Sequence, residues 1–429
     1  MFRGSIAAAL AFAVGCGPSE SAPEVPPPPP PNGYNIIFIV IDTLRADHLE
    51  SYGYALGNSS RLYTFGKHSV IFDRAYSQSA WTKPSVASLL TSLEPRDHGI
   101  IDWENQMTDD KLTIAEVLKD AGYDTEAYIG HHALEPKFNN FHQGFDVFDT
   151  SAFKEWGSPH KIASADRLSN LAIKAVKKNR ENPYFLWLHY FDPHDDYMLH
   201  KRFDYGPFDQ HRYDSEIAFT DHHLGRLFTI LHERKAYKDT IVVVTADHGE
   251  EFMDHGHNRH THQMYDEVIR VPLMIRAPQV EPGHVEEAVA GVDIPTTMLR
   301  LVGVDVPESF TGRPLPVVDE AFLLDPKHPV FSETRREVNR QAVVVDGWKL
   351  IEDKVKKTYQ LYDLRMDPKE KFNQSKKMPR KRSELQQILT THFRVPTVAA
   401  PKMENDEEFN ELLEELGYLD RGEEAGAKD

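Results

Sequence analysis

The chain has 429 residues, 40% of them hydrophobic, enough for one large α/β domain with a smaller attachment. Its formal net charge of −18 excludes a nucleic-acid-binding surface, which needs a basic footprint. An anionic small molecule stays within reach, provided a cation and basic side chains make one cleft locally positive.

At the N-terminus, MFRGSIAAALAFAVGC carries one early Arg3, an apolar run from Ile6 to Val14, and small residues before Cys16, the single cysteine. That run is too short to cross a bilayer and reads as a signal peptide over residues 1–15. Ala13-Val14-Gly15-Cys16 has the form of a bacterial lipobox, in which Cys16 is lipidated and becomes the mature N-terminus. Plain cleavage without a lipid is the alternative. Gly17, where an Asp would retain the chain on the inner membrane, points to the outer one in a cell with two. Six prolines, Pro26 to Pro31, make residues 16–33 a stiff spacer that holds a folded body off the membrane.

The folded body is expected from Tyr34. NIIFIVI, Asn35 to Ile41, is an uninterrupted β-branched run and reads as a strand buried on both faces. TEAYIG from Thr125, PYFLWLHY from Pro183, TIVVVTA from Thr240 and VPLMIRA from Val271 repeat the pattern. KLTIAEVLKDAG, ADRLSNLAIKAVKKN and DSEIAFTDHHLGRLFTILHER separate them with helical periodicity. The alternation predicts a parallel sheet with helices on both faces over residues 34–316, with active residues beyond the carboxyl ends of its strands. Over 317–375, HPVFSETR, RQAVVVDGWKLIED and KTYQLYDL predict a small antiparallel sheet. Residues 376–429 then hold terminal helices at SELQQILTTHF and NDEEFNELLEELGYL, the first preceded by a solvated basic stretch, KKMPRKR, and a frayed tail.

Five stretches can carry chemistry. Asp42 directly follows the first strand, and Asp247 with His248 follows another. Two carboxylates and an imidazole on neighbouring strand ends can converge on one divalent cation, although Asp-His pairs also make turns. SAWTKPSVASLLTS, Ser79 to Ser92, reads as a helix with Pro84 at its first position. Thr82 and Lys83 then stand where unpaired backbone N–H groups favour negative charge and help a hydroxyl ionise. An ordinary helix start carries the same pattern. LHYFDPHDDY puts His189, Asp192 and His194 near the same edge. Five of the 22 histidines fall between His248 and His262, a concentration that favours an anion or metal site.

Together these stretches resemble the sulfatase family, within the alkaline-phosphatase-like superfamily. NIIFIVIDTLRADHLESYGY, PSVASLLTSLEPRDHGI, FLWLHYFDPHDDY, TADHGEEFMDHGH and YDEVIRVPLMIRAP follow its motifs in its order. VDIPTTMLRLVGV, ETRREVNRQAVVVDGWKLI and QLYDLRMDP extend the likeness to about Leu419. The resemblance implies a sulfatase fold, mainly parallel with a small C-terminal antiparallel subdomain, and hydrolysis of ester bonds. It implies Asp42, Asp247, His248 and Thr82 as ligands of one metal ion, with Thr82 the nucleophile. It puts His194 on the anionic group of the substrate. It gives His260 the role of binding that group or protonating the leaving oxygen, with His257 beside it as a further substrate contact.

Three departures matter. The family motif, Cys or Ser followed by any residue, Pro, Ser and Arg, reads Thr82-Lys83-Pro84-Ser85-Val86. The family oxidises its Cys or Ser to formylglycine; a threonine would give a ketone, which hydrates poorly. Related phosphodiesterases and phosphoethanolamine transferases use an unmodified metal-bound Thr, so phosphate or phosphonate esters are favoured over sulfate. Thr43 replaces the second Asp, which with His248 favours zinc or manganese, calcium staying open. Val86 replaces the motif Arg, and Lys83 and Arg45 are expected to restore that charge at the substrate. His131 and His132 are left unassigned. The expected partner is an anionic ester on a small molecule, glycan or lipid headgroup. Sulfate-ester hydrolysis proper, phosphoryl transfer and non-catalytic binding on the cell envelope are the alternatives.

Overall fold

Chain order gives β1 (Asn35–Ile41), β2 (Val70–Tyr76), β3 (Asp124–Ile129), β4 (Val147–Asp149), β5 (Tyr184–Tyr190), β6 (Thr240–Thr245), β7 (Glu251–Phe252), β8 (Asn258–Arg259), β9 (Arg270–Val271), β10 (Leu273–Arg276) and β11 (Gly283–Ala290). The computed structural model describes Met1 and residues 33–153, 164–278, 280–317, 327–336 and 338–403. The signal peptide, Cys16, the proline spacer and the helix expected over NDEEFNELLEELGYL lie outside the described residues. Among the described residues, no helix is long and apolar enough to cross a membrane.

β1 lies inside a nine-stranded sheet of order β11-β2-β10-β6-β1-β5-β3-β4, with β9 paired to β2. Ile36 to Ile41 are all buried, as a strand covered on both faces requires. The pairs β1–β5, β1–β6, β3–β5 and β3–β4 are parallel. Register sets the level of their ends: Val40 lies opposite Thr245 on one side and His189 on the other, and Ile129 also lies opposite His189. Four adjacent strands, β6, β1, β5 and β3, therefore finish together on one edge.

The sheet is mainly parallel, as expected, with two antiparallel members. β10, the strand read at VPLMIRA, runs antiparallel between β2 and β6, and β9 runs antiparallel to β2. A parallel neighbour needs a crossover of a dozen or more residues back to the starting edge. The chain leaving β6 stays at the carboxyl edge, forms the β7–β8 hairpin and the four-residue helix Asp266–Ile269, and re-enters the sheet from that edge.

The helices expected from periodicity appear at Ile114–Asp120, Ala165–Val176 and Asp209–Glu233. Thr113 and Glu116 close a reciprocal capping box at the first of these.

The small sheet consists of β12 (Val330–Thr334), β13 (Arg340–Val345), β14 (Trp348–Asp353) and β15 (Thr358–Asp363), antiparallel throughout. Its residues alternate between two apolar clusters, as the two-residue period of a strand demands. Val330, Ala342, Val344 and Ile351 pack on Tyr76, Met264 and Ile269 of the main domain. Phe331, Val343, Val345 and Leu350 pack under Leu385 and Leu389 of the helix Pro379–His392. Each of those buried leucines contributes about 2 kcal/mol of burial.

Polar ties fasten this sheet to the main domain. Lys349, fully buried, pairs with Asp266 and Glu370 at 2.9 Å each. Thr334 donates to the carbonyl of Thr261 at 2.8 Å, and Arg340 donates to the carbonyl of His262 and to Gln263.

Candidate active site at the strand ends

Two residues beyond the Val40–Thr245 pair stand Asp42 and Asp247, followed by His248. All three are fully buried, and each offers a ligand atom within 4.8 Å of the others. His248 donates from Nδ1 to the carbonyl of Gly249 at 3.0 Å, which leaves Nε2 as the unprotonated nitrogen. That Nε2 lies 3.5 Å from Asp42 Oδ1 and 3.7 Å from Asp247 Oδ2. Gly249 is required there: a Cβ would lie 2.1 Å from the carbonyl oxygen of Glu267.

Thr82 is the first residue of the helix Thr82–Thr91, and its Oγ1 lies 3.2 Å from the same His248 Nε2. The helix thus opens two residues before Pro84, not at it. Trp81 stays extended at φ −163°, ψ 163°, so the turn falls at Thr82 and presents its hydroxyl to the strand ends. The chain immediately after Asp42 is tightly bent as well. Thr43 has φ 54°, a left-handed conformation that costs a β-branched residue about 1–3 kcal/mol. Its N–H reaches Asp247 Oδ1 at 3.4 Å, and its carbonyl accepts from Tyr213 at 2.7 Å.

Both oxygens of Asp42 and Oδ2 of Asp247 make no hydrogen bond, although they are buried. Burial, then the charges of Asp247 and Glu250, push the Asp42 carboxyl well up. Burial works the same way on Asp247, but the neighbouring His248 and His189 and the hydrogen bond from the His248 N–H oppose it and lower that carboxyl. Two unsatisfied carboxylates, an unprotonated imidazole nitrogen and a hydroxyl form a donor set that fits one divalent cation.

An outer ring of histidines surrounds this set. His131 accepts from the Ala133 N–H at Nδ1, and its Nε2 lies 3.4 Å from Asp42 Oδ2. His189 Nε2 lies 3.7 Å from Asp247 Oδ2. The two imidazoles thus line the carboxylates without hydrogen-bonding them. His194 donates from Nδ1 to the Asp195 carbonyl at 2.7 Å and stacks on Phe191. His260 engages Glu250 Oε1 through Nδ1 at 3.0 Å, with its ring centroid 4.5 Å from that of His248 and 5.0 Å from that of His194. Burial lowers His194 to about 3 and lowers His260 well below its ordinary range, so both favour the neutral form. A base whose second nitrogen is oriented by a carboxylate is the arrangement of a proton carrier.

Asp42, Thr82, Asp247, His248, His194 and His260 are thus gathered at one place. The three expected substrate-binding residues are not among them. Lys83 Nζ donates to the carbonyls of Trp103, Asn105 and Phe138, which uses all three of its protons. Adjacent helical residues point about 100° apart, so a chain turned to aim Thr82 inward aims Lys83 into those loops. Arg45 is held by Asp47 and Asp254 at 2.9 Å each and by the Glu250 carbonyl. His257 sits exposed in the turn between β7 and β8.

Sequence reasoning left His131 unassigned, named His189 without a role, and passed over Glu250. For the first two, the signal was available in strand alignment: His189 ends near the carboxyl end of β5, which pairs with β1, and His131 follows β3, which pairs with β5. For Glu250, nothing in TADHGEE distinguishes it from Glu251.

Residues 34–304 match the sequence model of the Sulfatase family. The chain belongs to the sulfatase family. As a sulfatase-family protein it is an ester hydrolase, and the family is generally metal-dependent. Residues 254–394 also match the model described as N-sulphoglucosamine sulphohydrolase, C-terminal. Arylsulfatase K of Bos taurus is 28% identical over 404 residues, covering 86% of this chain and 71% of that protein. The uncharacterized sulfatase YidJ of Escherichia coli (strain K12) is 24% identical over 427 residues, covering 79% and 82%. Among solved structures, a protein in complex with its substrate D-glucosamine-2-N,6-O-disulfate superposes with a TM-score of 0.72 at 19% identity, covering 84% of this sulfatase and 98% of that chain. The phosphonate monoester hydrolase from Silicibacter pomeroyi superposes with a TM-score of 0.69 at 22% identity, covering 84% and 95%. These two share the fold.

Proposed function

We propose that this sulfatase-family enzyme hydrolyses a singly charged phosphorus ester, a phosphodiester or a phosphonate monoester, with Thr82 as the unmodified nucleophile. The observation that carries this reading is the position of Thr82 Oγ1, 3.2 Å from His248 Nε2 and beside two buried carboxylates that lack hydrogen-bond partners. The methyl group on the threonine Cβ blocks the aldehyde on which formylglycine chemistry depends. Substrate charge follows from what the cations are doing. Lys83 and Arg45 are committed to carbonyls and aspartates, and Val86 replaces an arginine, so the site suits one negative charge better than two.

A divalent cation held by Asp42, Asp247, His248 and Thr82 would supply Lewis acidity, easing ionisation of the hydroxyl and offsetting charge on the transferred group. Thr82 Oγ1 gives its proton to neutral His260 and forms the new bond to phosphorus as the bond to the ester oxygen breaks. His260, whose imidazolium Glu250 would stabilise, passes that proton to the leaving oxygen; in the second step it takes a proton from the attacking water and returns it to the Thr82 oxygen as the Thr82 ester is released. His194 lies beside it to contact the anionic oxygens. His131 and His189 line the two carboxylates.

The donor set of two carboxylates and one imidazole suits zinc or manganese better than calcium. The lipobox at Cys16 supports a lipid anchor on the bacterial cell envelope, where glycans and lipid headgroups are the available esters. Sulfate monoesters are the second reading, supported by the arylsulfatase relatives and by their equal charge. Turnover of bis-p-nitrophenyl phosphate and of p-nitrophenyl sulfate, by the purified chain and by Thr82→Ala, tests both. Phosphodiester turnover that disappears in the variant is expected. Sulfate turnover without phosphodiester turnover would overturn the choice of phosphorus.

A further inference from the structure

We propose that Glu251, His255 and Glu267 form a second metal site, for a zinc-class divalent ion, sharing no residue with the strand-end centre. Each offers one ligand atom, and the three atoms lie within 4.8 Å of one another. Glu251 and His255 come from the β7–β8 hairpin, and Glu267 from the helix Asp266–Ile269 that follows.

Two independent observations point to a ligand. Glu251 is 1% exposed, yet its Oε1 is buried without any hydrogen-bond partner. A buried carboxylate oxygen left unpaired costs about 1–3 kcal/mol or more, a penalty that a coordinated ion would remove. His255, in turn, is fixed as a ligating imidazole is fixed. Its Nε2 donates to the carbonyl of Glu370 at 3.0 Å, and its ring stacks on Tyr265 at 3.7 Å and 10°. That arrangement turns Nδ1 toward Glu267 Oε1, its hydrogen-bond partner. A metal-bound histidine regularly places its second N–H on a backbone carbonyl in this way.

Charge supports the same reading. Two buried carboxylates face a single imidazole. Burial, then the charge of Glu267, pushes the Glu251 carboxyl up to about 8, while Glu267 holds the His255 imidazole above its ordinary range. A divalent ion would displace the proton between His255 and Glu267 and let Glu251 ionise. One nitrogen and two carboxylate oxygens, with a fourth position for water, match zinc coordination more closely than an all-oxygen calcium shell.

The position gives the ion a role. Glu250, which orients His260, immediately precedes Glu251 in the chain. The Glu370 carbonyl that holds His255 belongs to the segment following the small sheet, and the Glu370 side chain pairs with Lys349. An ion here would pin the catalytic hairpin to the C-terminal subdomain.

Metal content measured by mass spectrometry after equilibration with buffered zinc tests the site. The Asp42→Asn/Asp247→Asn variant, stripped of the strand-end carboxylates, is expected to retain a single zinc per chain. His255→Ala or Glu251→Gln in that background should weaken zinc binding by about 100-fold or more. In the otherwise wild-type chain either substitution should lower the total by one zinc, which keeps the test valid if the combined variant does not fold. Anomalous diffraction at the zinc edge should place the ion between Glu251 and His255. Unchanged zinc content in both substitutions, or anomalous density elsewhere, would overturn the assignment.

Discussion

The ends of β6, β1, β5 and β3 bring Asp247, Asp42, His189 and His131 to one buried point, whereas β12 to β15 contribute no side chain to it and instead hold the loop that carries His260. The difference follows from strand direction. Parallel neighbours finish on the same edge, so residues just beyond them converge without further design. Antiparallel neighbours finish on alternate edges, so a sheet of that kind gathers few ends at one place. Its contribution is made sideways, through Thr334 on the Thr261 carbonyl, Arg340 on the His262 carbonyl, and Lys349 between Asp266 and Glu370. On the proposed reading, the parallel region supplies the reactive groups and the antiparallel region positions the loop beside them.

That division can be broken by substitution. Thr82→Ala should lower kcat/KM on the order of 10⁴-fold or more while leaving the melting temperature nearly unchanged. Residual activity near wild type would remove the parallel edge from the chemistry. On the other side of the division, Lys349→Met leaves the buried Glu370 and the half-buried Asp266 without their shared cation and should destabilise the fold by about 3 kcal/mol in urea titration. The turnover number of the folded fraction is expected to move far less than its stability.

A pH experiment separates structural acids of the parallel region from reactive ones. Asp192, just beyond β5, and Glu216 both carry carboxyls that burial raises to about 8, with the charge of Glu216 adding to the effect on Asp192. Folded-state values above the unfolded ones mean that protonation favours the fold. Stability from this pair is therefore full below about pH 4 and is lost as pH climbs toward about 8. Glu216→Gln should flatten that loss by on the order of 2 kcal/mol, because the pair shares its proton. Thermal melts of both proteins at pH 5 and pH 8.5 read the change, and parallel slopes would show that the pair does not titrate this way. The smallest effect is expected from Arg340→Ala. Removing its hold on the His262 carbonyl and Gln263 should reduce kcat by about tenfold without changing metal content, since His260 loses alignment and no ligand is lost.

Much of this organisation was legible in the residues. Asp42, Asp247 and His248 were readable because buried parallel strands declare themselves as apolar runs, and the positions just past them are geometrically privileged. Thr82 was readable from its helix start. What failed was side-chain direction. Lys83 looks equivalent to Thr82 in sequence, yet one helical step sends it to three carbonyls. Arg45 looks like a cation beside Asp42, but its partner Asp254 lies more than 200 residues away along the chain. The antiparallel course of β10 was hidden for a similar reason: VPLMIRA states that a strand is buried and says nothing of which way it runs. Glu250 and Glu251 are both buried and differ in direction, one side chain facing His260 and the next facing His255 and Glu267, and no local pattern encodes that.

The dependence of His260 on β12 and β13 also bears on when the chain becomes active during its synthesis. A ribosome-tethered fragment ending before Thr334 already contains Asp42, Thr82, Asp247 and His248, but not the two anchors of the neighbouring loop. On the proposed reading, the nascent polypeptide acquires the residues that would hold a cation first and the anchors of the His260 loop last.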